Sequence, residues 1–296
     1  MSARPKPPAG ATEGTATERS SATHLRLTVC RYYGLRANMP TRVDWHLVRA
    51  PNSLLAQSRR DLSGFEHADG WGIAAYHGDA LKVQRRASAA HNGHYFCEAA
   101  ERVEATTVLA HVRRATVGRI GLANTHPFVH GPFALVHNGT VPYFADIRPR
   151  LLDAMTPEHR AAIQGATDSE HLLHLILSIR VQRGGALFAS VAAALRQVLA
   201  LCREIGQEPH LGLNILLTDG NEMVGSRWRR TLHFLEQTGS APCPEEPPGR
   251  ATERDYRALI IASEPTNGCS WPEVPERSLF EVTPDLRLRI EPLDES

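Results

Sequence analysis

The strongest constraint on the fold is the way apolar runs are distributed. Nine short runs have strand character: Cys30–Leu35, Gly72–Tyr76, Leu81–Arg85, Thr107–Val112, Phe133–His137, Leu213–Leu217, Met223–Arg227, Ala258–Ala262 and Leu286–Ile290. Five longer runs have helical spacing: Val43–Leu55, Tyr95–Val103, Tyr143–Met155, Ser169–Gln182 and Leu187–Ile205. The two kinds are mixed without strict strand–helix–strand alternation, and no internal repeat is present. Parallel sheets need that alternation, so the pattern predicts an α+β fold with antiparallel sheets covered by helices.

The first strand is preceded by a different kind of sequence. Up to about residue 24 the chain is Pro, Ala, Gly, Thr, Ser and scattered charge, with Leu25 the first large aliphatic residue after Met1. Such a stretch cannot bury enough apolar surface to offset its ordering entropy, so residues 1–29 are expected to be a disordered tail and residues 30–296 the folded domain. A second break, Gly239–Gly249, is rich in Pro and Glu and reads as an exposed loop. The tail has no apolar h-region of a secretory signal. No apolar run approaches the ~20 residues of a membrane helix. A net charge of +1 marks neither a nucleic-acid nor a membrane surface. The five cysteines are widely spaced with no Cys-x-x-Cys pair, which indicates neither a disulfide framework nor a zinc ribbon and fits a cytoplasmic location.

Six short segments could carry chemistry, and each has a bland reading beside it. Cys30 opens Cys-Arg-Tyr-Tyr-Gly, where a lone cysteine is usually a small buried hydrophobe. His67-Ala-Asp-Gly-Trp-Gly-Ile is a tight strand entry. In His111-Val-Arg-Arg-Ala-Thr116, the arginines are surface charge or a fork for a carboxylate. Asn124-Thr-His-Pro-Phe128 follows. In Leu135-Val-His-Asn-Gly-Thr140, Asn-Gly is a hairpin turn or an oxyanion hole built from a side-chain amide and a backbone N–H. Thr167-Asp-Ser-Glu170 fits a capping box, Thr167 paired with Glu170 at the start of a helix. Thr167 and Glu170 alone would supply that cap, leaving Asp168 free to meet a ligand ammonium. His91, His94 and Cys97 lie close together, but their polar surroundings and the lack of a fourth ligand argue against a metal; no metal and no cofactor are expected.

Taken in order, these motifs resemble the class II glutamine amidotransferase family, among the N-terminal-nucleophile hydrolases. The match runs from Cys30 to about Leu177. A weaker one covers Ile261-Ala-Ser-Glu-Pro265, Trp271-Pro-Glu-Val-Pro275 and the strand at Leu279, and is similar to stand-alone members, including γ-glutamyl amidases of thiohistidine biosynthesis. The resemblance implies a four-layer α-β-β-α sandwich. It implies Cys30 as nucleophile, Asn138 and Gly139 as oxyanion hole, Arg113 on the substrate α-carboxylate and Asp168 on its α-ammonium. Thr116 and His126 fall in substrate-binding motifs, and Gly72 in a structural one. The implied reaction is hydrolysis of the side-chain amide of glutamine, or of a γ-glutamyl compound, through a thioester on Cys30.

Two features depart from the family pattern. The mechanism needs Cys30 as the first residue, yet 29 residues precede it. Either the tail is removed, or translation starts at the valine codon of Val29 with the initiator methionine trimmed, or the chain is a catalytically silent glutamine- or partner-binding domain. A valine-codon start suits a chain whose only lysines are Lys6 and Lys82, a bias typical of GC-rich genomes. There is also no P-loop and no obvious synthase domain. The chain is therefore expected to act as a free-standing hydrolase or as the glutaminase subunit of a separate ammonia-accepting synthase. A papain-like protease is a poor fit, because Cys30 lacks that local signature.

Overall fold

A computed structural model describes residues 30–239 and 254–293. The expected tail 1–29 and, after its first residue, the expected loop Gly239–Gly249 lie outside the described residues. In chain order the elements are β1 (Arg31–Arg42), a π-helical turn (Trp45–Arg49), α1 (Leu54–Arg59), β2 (Trp71–His77), β3 (Ala80–Arg86), α2 (Tyr95–Glu101), β4 (Glu104–Val112), β5 (Phe128–His130), β6 (Phe133–Thr140), α3 (Phe144–Asp153), α4 (Pro157–Ala162), α5 (Asp168–Arg183), α6 (Leu187–Glu204), β7 (Gly212–Thr218), β8 (Met223–Arg227), β9 (His233–Thr238), β10 (Arg257–Ala262), β11 (Ser278–Val282) and β12 (Leu288–Pro292).

The strands form two six-stranded sheets, ordered β3-β2-β4-β1-β10-β9 and β12-β11-β8-β7-β6-β5. Every pairing is antiparallel. The two-residue period of a strand explains why there are four layers. Tyr33 and Leu35 of β1, Ile73 and Ala75 of β2, and Ala258 and Ile260 of β10 face a core shared with α1, α2 and the π-helical turn. Their alternates Tyr32, Ala74, Tyr76, Leu259 and Ile261 face the opposite way. There they meet Ala134 and Val136 of β6 and Leu216 of β7 between the sheets. On the far face Leu135, Leu213, Ile215 and Leu217 pack against α3, α5 and α6. The central strands of both sheets are thus buried on both faces, while the edge strands β3 and β12 stay largely exposed, giving the α-β-β-α sandwich that the motif order implied.

Several expectations need correction. The run 43–55 is not one helix. Pro51 lacks an N–H and cannot continue the helix before it, so the chain makes a π-helical turn, closed by Ala50 N–H to the Trp45 carbonyl at 2.8 Å. A separate helix then starts at Leu54, with Ser53 Oγ accepting the Ala56 N–H. Strands β5 and β9 and helix α4 were not foreseen. Cys269 is disulfide-bonded, although the wide spacing of the cysteines gave no sign of a cross-link. Among the described residues, no single helix is long and apolar enough to cross a membrane.

Candidate active site

The candidate residues gather where one end of β1, β4 and β6 meets the first turn of α5. The register pairs Arg31 with Val112, which sets Cys30 beside the residues that leave β4. Cys30 is buried, and its Sγ accepts the Arg114 N–H and donates to the Arg114 carbonyl, each at 3.4 Å. Burial pushes the thiol up to about 11; the Arg114 N–H and the Arg113 and Arg31 charges pull the other way, and the Asp168 charge adds to the rise.

Arg113 lies inward, with Nη2 donating to the Val117 carbonyl at 2.9 Å and Nη1 to the Arg119 carbonyl at 3.4 Å. Its burial lowers its pKa, against the attraction of Cys30, Asp69 and Asp168. The Arg114 guanidinium instead stacks over the Phe65 ring at 4.3 Å. Of the adjacent arginines, Arg113 is the one beside Cys30 and Asp168. Asp69, from the His67–Ile73 motif, accepts the Ala115 N–H at 2.8 Å and fixes the turn after β4.

The second sheet supplies Asn138 and Gly139. Asn138 is fully buried; Nδ2 donates to Ser263 Oγ at 3.3 Å, and Oδ1 has no partner. Ser263 Oγ in turn accepts the Tyr32 N–H at 3.0 Å, so Ser263 ties Asn138 to the strand that Cys30 begins. With the amide oriented the other way, the Ser263 hydroxyl would donate to Oδ1, and the N–H2 would be free for another acceptor. That arrangement partners the oxygen and leaves the N–H2 in its place without an acceptor among the described residues. Gly139 admits no side chain, because a Cβ there would collide with the Gly212 carbonyl across the sheet. Gly72 is similarly confined: a Cβ would reach 2.8 Å from Arg85 Cγ and 2.9 Å from Pro127 Cδ.

Asp168 is buried at the first position of α5. Its Oδ2 accepts the Val141 N–H at 2.7 Å and its Oδ1 the Ser169 N–H at 2.9 Å, which joins the helix start to the end of β6. The capping box is only half formed. Thr167 Oγ1 accepts the Glu170 N–H at 3.3 Å, but the Glu170 carboxylate accepts the Gln164 and Gly165 N–H groups at 2.9 and 2.6 Å rather than turning back to Thr167. Asp168 is therefore itself a structural acceptor. Ser169 Oγ lies 2.9 Å from His137 Nδ1, and His137 Nε2 lies 2.9 Å from the Gly212 carbonyl. Nε2 must then carry the ring proton and Nδ1 accept from the serine.

The remaining two candidates differ in position. Thr116 is exposed, its Oγ1 3.1 Å from Thr140 Oγ1 beside Gly139. His126 is sealed inside, stacked on His111 at 4.0 Å and edge-on to Phe128 at 4.6 Å, with neither ring nitrogen hydrogen-bonded among the described residues. Burial and the neighbouring His111 and His137 hold it well below the ordinary histidine value. His91 pairs with Glu66 at 3.1 Å and His94 with Glu98 at 3.5 Å.

Sequence reasoning missed the support behind Cys30. Arg31 is buried between two carboxylates, with Nη2 2.8 Å from Asp61 Oδ2 and Nε 2.9 Å from Glu264 Oε1. Its Nη1 donates to the Cys30 carbonyl at 3.0 Å. His67 Nε2 lies 2.9 Å from the same Asp61 oxygen. Burial alone would raise the Asp61 pKa; the hydrogen bonds from His67 and the Phe65 N–H, with the Arg31 charge, lower it overall. The only sequence signal was the position of Arg31 and Glu264 inside matched motifs.

The sequence pattern of the class-II glutamine amidotransferases matches residues 29–242, and the chain belongs to that family. It is 29% identical to a γ-glutamyl-hercynylcysteine sulfoxide hydrolase of Mycobacterium tuberculosis, over 86% of this chain and 93% of the relative. It is 28% identical to a probable glutamine amidotransferase of Saccharomyces cerevisiae, over 86% of this chain and 82% of that one. Among solved structures, a class-II glutamine aminotransferase domain protein from Silicibacter pomeroyi shares the fold at a TM-score of 0.62 and 18% identity, covering 90% of this chain and all of the other. The glutamine phosphoribosylpyrophosphate amidotransferase of B. subtilis does so at 0.60 and 18%, covering 90% of this chain and half of the other.

Proposed function

We propose that the protein hydrolyses the side-chain amide of glutamine or of a γ-glutamyl compound, using Cys30 as the nucleophile of a chain that begins there. The observation that supports this best is the convergence of Cys30, Arg113, Asn138 and Asp168 from three strands and a helix on one buried corner. Arg113 offers a fork for the α-carboxylate, and Asp168 a charge for the α-ammonium. Together they select a free amino acid end, which a glutamine inside a protein lacks. The Arg113 fork is held by carbonyls of residues 117–119, which the substrate carboxylate would displace or share.

A thiol held near 11 needs a base at neutral pH. A free α-amino group, with a pKa of about 7.7–8.0, meets that need on the same residue. It takes the thiol proton as Sγ attacks the amide carbon. The tetrahedral oxyanion is held by the Asn138 side-chain amide and the Gly139 N–H. The proton passes to the leaving nitrogen, ammonia or an amine departs, and a γ-glutamyl thioester remains. Water then attacks the thioester, releasing glutamate and restoring the thiol. Thr116, exposed beside Thr140, is open to contact the substrate, whereas His126, buried against His111 and Phe128, would act on it only through its neighbours. The M. tuberculosis relative's name makes γ-glutamyl thioether or sulfoxide compounds the first substrates to try, with a separate ammonia-accepting subunit as the other destination.

The test is a screen of glutamine and γ-glutamyl compounds for glutamate release by protein of determined N-terminus. Release that disappears in Cys30→Ala supports the reading. A chain that keeps its tail and binds glutamine without turnover would replace it with a silent binding domain.

A further inference from the structure

Away from this corner, three histidines from distant parts of the chain meet on the helical face of the second sheet. They are His130 at the end of β5, His159 in α4 and His174 in α5. Each can present one ring nitrogen such that all three nitrogens lie within 4.8 Å of one another. His159 Nδ1 and His174 Nδ1 are 3.4 Å apart. The ring centroids are separated by 4.9, 5.0 and 5.6 Å, and the rings are inclined at 58°, 72° and 54° rather than stacked. His159 and His174 are buried and His130 is partly so.

Tetrahedral zinc with Zn–N bonds of about 2.0–2.1 Å places neighbouring ligand nitrogens about 3.4 Å apart. The His159–His174 pair already has that spacing, and His130 offers a third nitrogen within 4.8 Å of both rings' nitrogens. We propose that His130, His159 and His174 bind one divalent first-row transition cation, best matched by zinc, with water in the fourth position. Three imidazoles suit such a cation and not magnesium or calcium, which demand oxygen donors. A simpler arrangement, a neutral N–H···N contact between His159 and His174, would explain two of the rings. It gives no reason for the third to converge on them.

The consequence is mechanical. The ion would fasten β5 and α4 to α5, the helix whose first residue is Asp168. His174 lies six residues along that helix, roughly 9 Å from Asp168 by helical rise, so the ion braces the helix without touching the candidate active site.

The full chain, stripped with a chelator and then dialysed against zinc, should retain one zinc per chain and melt at a higher temperature than the stripped form. Cobalt(II) in place of zinc should give the visible d–d bands of a tetrahedral site with no sulfur charge-transfer band. His130→Asn, at a partly exposed position, should lose the retained metal and the cobalt spectrum while keeping its near-ultraviolet circular dichroism; His174→Gln should also lose both. Cys30→Ser should keep both. Three results would overturn the proposal: no metal retained by the wild-type chain, retention that survives His130→Asn, or a sulfur band that vanishes with Cys30→Ser.

Discussion

At the scale of single residues, the least obvious participant is Ser263. It joins the Tyr32 N–H to the Asn138 amide and so fixes that amide, the proposed oxyanion donor, relative to the strand that follows Cys30. Ser263→Ala should lower kcat about 10- to 100-fold with little change in KM, measured as glutamate release, because the donor matters only when charge develops on the oxygen. An unchanged kcat would remove Ser263 from the positioning apparatus. Arg31 makes a different kind of contribution. Arg31→Met leaves Asp61 and Glu264 buried without their common cation, and should cost about 3–5 kcal/mol in a urea titration. A loss under 1 kcal/mol would mean water reaches the cage. The residues proposed to act on substrate stood out because they sit inside short ordered motifs. Arg31, Asp61, Ser263 and Glu264 acquire meaning through contacts between distant positions, from Arg31 with Asp61 to Arg31 with Glu264, 233 apart, and no local pattern encodes those.

At the scale of elements, the first turn of α5 has the structural task of holding the end of β6 through Asp168, beside the proposed one of binding the substrate ammonium. The expectation that Thr167 and Glu170 would cap it, leaving Asp168 free, fails because Glu170 is committed to the Gln164 and Gly165 amides. Asp168→Asn turns one of two acceptors into a donor facing a backbone N–H. It should therefore destabilise the fold by about 1–3 kcal/mol as well as abolish ammonium recognition. Thermal melting and kcat/KM, measured together, check both halves; a stable, fully active variant would contradict both. Strand positions were readable where a strand buried on both faces gave an apolar run of useful length, as in β2 and β7. β5 has only three residues, too few for a periodic signal. In β1 the pairing continues to Arg42, past a register shift between Arg36 and Thr41, through Asn38 and Pro40, which read locally as a loop.

At the scale of the whole molecule, the sandwich buries several histidines in neutral form. Burial pushes His46 down to about 3, and lowers His67, His111 and His126 as well. In the unfolded chain these groups titrate near 6.5. Below that pH the unfolded state binds more protons, so stability is full above about 6.5 and falls as pH drops. Each such histidine adds up to about 1.4 kcal/mol per pH unit to the slope. Urea midpoints measured with chelator present should fall clearly between pH 7.5 and 5.5; equal midpoints would mean the histidines are not held neutral. The four-layer architecture was legible at this scale through motif order and the mixed strand and helix pattern. The closeness of the sheets was not, since it depends on which alternate residues face inward.

The central claim is that Cys30 heads the mature chain and attacks a γ-glutamyl carbon held between Arg113 and Asp168. The most direct measurement is intact-mass and peptide mapping of protein from its native host, after reaction with a glutamine analogue bearing a diazoketone in place of the side-chain amide. The account predicts one adduct, on Cys30, as the first residue of the chain, suppressed by excess glutamine. An adduct on Cys30 in a chain that still carries Val29 would contradict the α-amine as base, and labelling of Cys97 or Cys202 with Cys30 untouched would contradict the site itself.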